Sequence, residues 1–255
     1  EAQGKGVAGY WDQDDFTLLI PVGEVDVEVL LARLEQVISA RDDAVGFRPS
    51  MGIYPLDPGE EVGIDQYSRA QFANSRAKKN FKDRIAFFSP AEYLKSEKEH
   101  ELLSEFRHAI SDGRIMFYVQ PQYDIEDGRI VGGEALARWR RPDGSFVSPA
   151  EFVPVLEKTG FVAMLDKFIW REVFRWMRRC LDAGETVVPI SINVSRIDVV
   201  SFDVAGFLEL LEDQYRVSPS LVKVEITETA YSLEQQAVSA LADRLEDTGH
   251  AIYMD

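Results

Sequence analysis

From Gly113 onward, strand signals alternate regularly with helix signals, and this constrains the fold more than any other feature of the chain. Residues 115–120 read as a strand, followed by an Asp127-Gly128 turn and a second strand over 129–139. Ser148-Pro149-Ala150-Glu151 has the form of a capping box with proline at the first helical position, opening a helix through Leu156. Helices are expected over 162–181, 207–215 and 233–246, with strands over 187–194, 221–227 and 250–254. Strands that alternate with helices imply a parallel sheet in an α/β fold. The simplest such architecture is a TIM-like (β/α) barrel, which takes about 250 residues. Residues 113–255 supply little more than half of that, so the barrel is expected to be incomplete.

The first part of the chain follows another rhythm. Residues 16–21 form an apolar, strand-like run. Helical spacing then links Val27, Leu30, Leu31, Leu34, Val37 and Ile38, and 47–54, 66–79 and 84–89 read as strand, helix and strand. This is an α+β pattern. Between the two parts, Leu102, Leu103, Phe106 and Ile110 make one apolar stripe in a charged stretch that stops at Gly113, the mark of a helical linker. The domains expected are therefore 1–90 and 114–255, joined by a helix over 91–113.

Bulk properties exclude several classes. No apolar run is long enough to cross a membrane, and the N-terminus has no signal-peptide pattern. The single cysteine, Cys180, rules out a disulfide framework and fits a cytoplasmic setting, although a longer parent could be membrane-attached. A net charge of −16 argues against binding nucleic acid polymers.

Four oxygen-bearing residues stand in or at the ends of the later strands: Glu134, Asn193, Glu225 and Asp255. About 30 residues, the length of one βα unit, separate Asn193 from Glu225 and Glu225 from Asp255. That spacing puts these three on successive strands at corresponding heights, where barrel side chains converge on one mouth. Three carboxylates and an amide form an all-oxygen set suited to Mg²⁺, Mn²⁺ or Ca²⁺ rather than zinc. Two such ions would suit phosphodiester hydrolysis. The alternative is that these residues cap helices or face water. A carboxylate in a strand of Ile, Val and Leu, however, is costly unless paired or metal-bound.

Five blocks, in order, resemble the EAL family of cyclic-di-GMP phosphodiesterases. They are Val119-Gln120-Pro121, Gly133-Glu134-Ala135-Leu136-Ala137-Arg138-Trp139, Ser148-Pro149-Ala150-Glu151-Phe152-Val153-Pro154, Ser191-Ile192-Asn193-Val194-Ser195 and Glu225-Ile226-Thr227-Glu228. The resemblance implies cleavage of cyclic di-GMP to linear pGpG with Mg²⁺ or Mn²⁺. It implies metal ligation by Glu134, Asn193, Glu225 and Asp255, with Glu134 and Asp255 catalytic. It also implies contact with the dinucleotide by Gln120, Leu136 and Arg138, with Arg138 on a phosphate, and a loop-supporting role for Glu228. Pairing with a second copy is implied as well, through a segment that would follow residue 255. Asp255 resembles the first aspartate of the family's Asp-Asp-Phe-Gly segment, so the second aspartate and the catalytic lysine have no counterpart here; activity is expected of a longer parent, and these residues alone are expected to be inactive.

The run from Tyr10 to Pro21, with Ser50-Met51-Gly52-Ile53-Tyr54 and Ala77-Lys78-Lys79-Asn80, resembles the C-terminal part of a GGDEF (diguanylate cyclase-like) domain. Its signature glycines are replaced by Asp12 and Gln13, whose side chains would intrude on a nucleotide. Asp14 and Asp15 retain carboxylates, but a hairpin turn in solvent explains the acidic run better than a catalytic site. A regulatory or structural role is expected for this part. Beside the enzyme stand two other readings: an inactive receptor for cyclic di-GMP or GTP, and a scaffold built on the aromatic helix over 162–181.

Overall fold

The computed structural model describes residues 6–12, 14–40, 48–80 and 82–254, with side chains for all but positions 11, 12, 229 and 231. The chain divides into two compact units, Glu1–Lys98 and Glu99–Asp255.

In the first unit, β1 (Val7–Asp12) and β2 (Asp15–Leu19) form an antiparallel hairpin. Asp12 and Asp15 are register partners across its tip, as the acidic run suggested. Helix α1 (Val27–Ser39) is capped by Asp26, whose carboxylate accepts from the Glu28 and Val29 amides. β3 (Met51–Ile53) and β4 (Ile85–Phe87) are parallel, and α2 (Ile64–Lys79) makes the crossover that parallel pairing requires. Tyr54, Phe72, Phe88 and Tyr93 pack with ring centroids 5.2 to 6.3 Å apart, mostly edge to face.

The division between the units falls inside α3 (Pro90–Ser111). Its later residues Leu102, Phe106 and Ala109 are buried in the core of the second unit. Gly113 ends the helix with φ 67°, a left-handed conformation suited to glycine.

The second unit opens with β5 (Ile115–Tyr123) and β6 (Ile130–Arg140). These two pair antiparallel across the Asp127-Gly128 turn, ahead of the parallel strands that the alternation with helices implied. A tight turn at Asp127-Gly128 joins them, and such a turn is too short for a crossover. β7 (Phe146–Val147) adds to β6. The capping box expected ahead of α4 (Pro149–Thr159) does not form, because Ser148 makes no side-chain cap bond. The Glu151 carboxylate instead lies 3.8 Å from the Arg141 guanidinium.

The remaining elements follow in order: α5 (Val162–Asp182), β8 (Ile190–Val194), α6 (Arg196–Ser201), α7 (Val204–Tyr215), β9 (Val222–Ile226), α8 (Glu228–Leu233), α9 (Gln235–Thr248) and β10 (Ala251–Met254). Helices α6 and α8 were not expected; each has only 6 residues, too few to show helical periodicity. The sheet runs β10-β9-β8-β6-β5 and is parallel from β6 to β10. Among the described residues it is an open path rather than a closed barrel.

Because side chains alternate along a strand, each sheet face has its own character. Ala135, Trp139, Ile190, Ile192, Val194, Val222, Val224 and Ile226 are buried in one core with Ile169, Trp170, Val173, Phe174 and Met177 of α5. Burying each large apolar side chain contributes about 1.5–3 kcal/mol. The opposite face carries the polar residues. Among the described residues, no helix is long and apolar enough to cross a membrane.

Candidate functional site

Glu134, Leu136 and Arg138 alternate with the buried Ala135 and Trp139 and so share the polar face of β6. Across the ladder, Gln120 pairs with Glu134, Tyr118 with Leu136 and Met116 with Arg138. On the other flank Glu134 pairs with Ser191, and Asn193 pairs with Glu225. Three adjacent strands thus present Glu134, Asn193 and Glu225 on one face.

The Asn193 amide donates to Glu134 through Nδ2, at 2.9 Å from Oε1. Residues 59 positions apart are thereby joined directly. Glu134 lies two residues lower in register than Asn193, and its longer side chain spans the difference. Glu225 is level with Asn193. On β10 the residue at that level is Tyr253, a difference from the expectation that placed position 255 there. Asp255 itself lies outside the described residues.

Arg138 is half-buried and donates through Nη1 to the Ala137 carbonyl at 2.9 Å. Its guanidinium carbon sits 5.8 Å from the centroid of the Tyr118 ring. Gln120 is exposed and Leu136 half-buried on the same face. Glu228 is exposed as the first residue of α8, after the cap Thr227. His250 stands apart, at the opposite end of β10, with Nε2 2.7 Å from Glu212 Oε1.

Among the described residues, no group of three or more His, Cys, Asp and Glu side chains is placed to hold an ion. Glu134, Glu225 and Asn193 nevertheless offer only oxygen donors once the Asn193 Nδ2 is committed to Glu134. That chemistry fits a hard divalent cation.

Two residues of this face escaped sequence reasoning. Ser191 is fully buried, and its hydroxyl has no hydrogen-bond partner among the described residues. Lys223 reaches along the face, with Nζ 5.3 Å from the Tyr253 ring centroid. Stepping back two positions from Asn193 and from Glu225 would have found both. In the first unit, Asp15 lies 3.6 Å from Lys78 Nζ, so one carboxylate of the acidic run is ion-paired.

The model of the EAL domain family matches residues 103–255. The bifunctional diguanylate cyclase/cyclic di-GMP phosphodiesterase MucR of Pseudomonas aeruginosa is 27% identical over 251 residues, covering 95% of this chain and 36% of its own. The probable cyclic di-GMP phosphodiesterase PdeB of Escherichia coli is 32% identical over 151 residues, covering 58% of this chain and 28% of its own. The chain thus spans about a third of the length of these curated relatives. A solved structure, the PaMucR phosphodiesterase in complex with c-di-GMP, matches with TM-score 0.56 and 26% identity over 60% of this chain and 62% of that one. The blocks around Glu134, Asn193 and Glu225, the α/β architecture and the family match agree: the chain belongs to the EAL domain family.

Proposed function

We propose that this chain supplies the first half of the active site of a longer cyclic-di-GMP signalling protein, a metal-dependent phosphodiesterase that hydrolyses cyclic di-GMP to pGpG. The observation that carries the reading is the contact between Glu134 and Asn193, with Glu225 in register beside them. The names of MucR and PdeB support the substrate.

In this reading Glu134, Asn193, Glu225 and Asp255 hold Mg²⁺ or Mn²⁺. The bound ion supplies a low-pKa water and neutralises charge on the phosphate. The protein's own groups do the rest. Arg138 clamps a phosphate with its forked donors, Gln120 and Leu136 line the dinucleotide, and Glu228 steadies a loop near the site. The sheet from β5 to β10 is then part of a TIM-like barrel whose mouth is the polar face. The first unit is a GGDEF-like regulatory domain without cyclase activity, in keeping with Asp12 and Gln13 in place of glycines and with Asp15 paired to Lys78. The assembly acts as a homodimer.

The test is turnover of cyclic di-GMP by the full-length parent protein with Mg²⁺ or Mn²⁺, followed by chromatography of pGpG. Glu134→Ala should abolish turnover. Tight binding of cyclic di-GMP without any pGpG would make the protein a receptor instead and defeat the proposal.

A further inference from the structure

We infer that Trp170 is a positioning residue for Asn193, holding the end of β8 so that the amide meets Glu134. The inference rests on the phosphodiesterase reading above.

The argument begins with the ladder. β8 pairs with β9 along its whole length, up to Val194 opposite Ile226. With β6 it pairs only at Ile190 and Ser191. Beyond Ser191 the β6 flank of β8 has lost its strand partner. Carbonyls point alternately to the two flanks of a strand. The Val194 carbonyl accepts from the Thr227 amide next to β9, 3.4 Å away. The Asn193 carbonyl therefore faces the flank that β6 has left, where a buried acceptor needs another donor.

Trp170 provides that donor. Its Nε1 lies 3.2 Å from the Asn193 carbonyl oxygen, and the side chain is 1% exposed. The indole packs against both Phe202 and Phe207, each with its ring centroid 6.0 Å away. Those two rings are 5.9 Å from each other. The N–H is thus aimed by packing on α6 and α7, and it fixes the backbone of the residue whose side chain reaches Glu134. Trp139 offers a contrast within the same core. It is fully buried, and its Nε1 has no hydrogen-bond partner among the described residues. Filling volume alone does not require an indole N–H to find an acceptor.

Groups that orient metal ligands typically change metal affinity by 10- to 100-fold when removed. The test compares Trp170→Phe, which removes the N–H and keeps a ring, with Trp139→Phe, in the full-length parent protein. Mn²⁺ binding is followed by electron paramagnetic resonance without substrate, and cyclic-di-GMP cleavage is measured as a function of Mn²⁺. Trp170→Phe should weaken Mn²⁺ binding by about tenfold or more, and cleavage should recover at excess Mn²⁺. Trp139→Phe, at a comparable thermal midpoint, should leave the Mn²⁺ dissociation constant unchanged. Should Trp170→Phe fail to fold, Phe207→Leu loosens the indole while keeping its N–H and should weaken Mn²⁺ binding in the same direction. Wild-type Mn²⁺ affinity in Trp170→Phe or its substitute, or an equal loss in Trp139→Phe, would overturn the positioning role. A wild-type protein that neither binds Mn²⁺ nor cleaves cyclic di-GMP would instead defeat the phosphodiesterase reading on which it rests.

Discussion

At the corner between β8 and α6, two aspartates share one environment. Asp198 is fully buried, and its Oδ2 accepts from both the amide and the hydroxyl of Ser195, at 2.7 Å each. Asp166 on α5 stands close enough to feel the Asp198 charge, and one proton held between the two relieves their repulsion. Burial raises both carboxyls above the usual aspartate range, and the neighbouring Asp198 charge pushes Asp166 further up. The folded state therefore holds this proton more tightly than the unfolded chain does. Stability tied to it is present at acidic pH and is lost as pH rises from the ordinary aspartate range through the raised one. Asp166→Asn keeps a hydrogen-bond donor and removes the charge. It should raise the thermal midpoint at pH 8 by about 2–4 °C for each kcal/mol recovered, with little change at pH 4. Calorimetry at the two pH values checks this, and a lower midpoint at pH 8 would reject the shared proton.

Elements meet here through small residues placed where backbones come close. A Cβ on Gly52 of β3 would lie 2.1 Å from the Ala70 carbonyl oxygen and 2.2 Å from the Asn74 amide nitrogen, both backbone atoms of α2. Gly52→Ala must push strand and helix apart, and should cost about 1–3 kcal/mol, seen as a lower urea midpoint by circular dichroism. In the second unit, β6 is the junction of the sheet: it pairs antiparallel with β5 and only briefly in parallel with β8. A Cβ on Gly133 would come within 2.4 Å of Val119 on β5 and 3.3 Å of Ile190 on β8. On α5, Phe174 is fully buried. Phe174→Ala should destabilise the fold by about 3–5 kcal/mol through the cavity left behind.

Over the whole molecule, the net charge of −16 sets what can approach. A duplex DNA probe at physiological salt should show no anisotropy change, since no overall cationic field releases its counterions. A small anionic ligand is a different matter, because one placed arginine or a bound cation is enough. How much was legible in the sequence follows the range of the interaction. Glu134, Asn193 and Glu225 stood out because a charged or amide group in an apolar strand is locally conspicuous, and the sheet does bring these three together. Helices α6 and α8 and the tie from Trp170 to Asn193 were not legible. They depend on short segments or on partners far apart in the chain.

By itself the sequence determined the strand–helix alternation after Gly113, the family, and the residue types that face each side of the sheet. Periodicity of 2 and 3.6 is a local property of the chain, so it survives without knowledge of contacts. Only the tertiary structure decided that Asn193 donates to Glu134, that Tyr253 rather than a carboxylate stands level with Glu225, and that an indole on α5 supports the end of β8. Register and side-chain reach arise from packing between distant segments, and no local pattern encodes them.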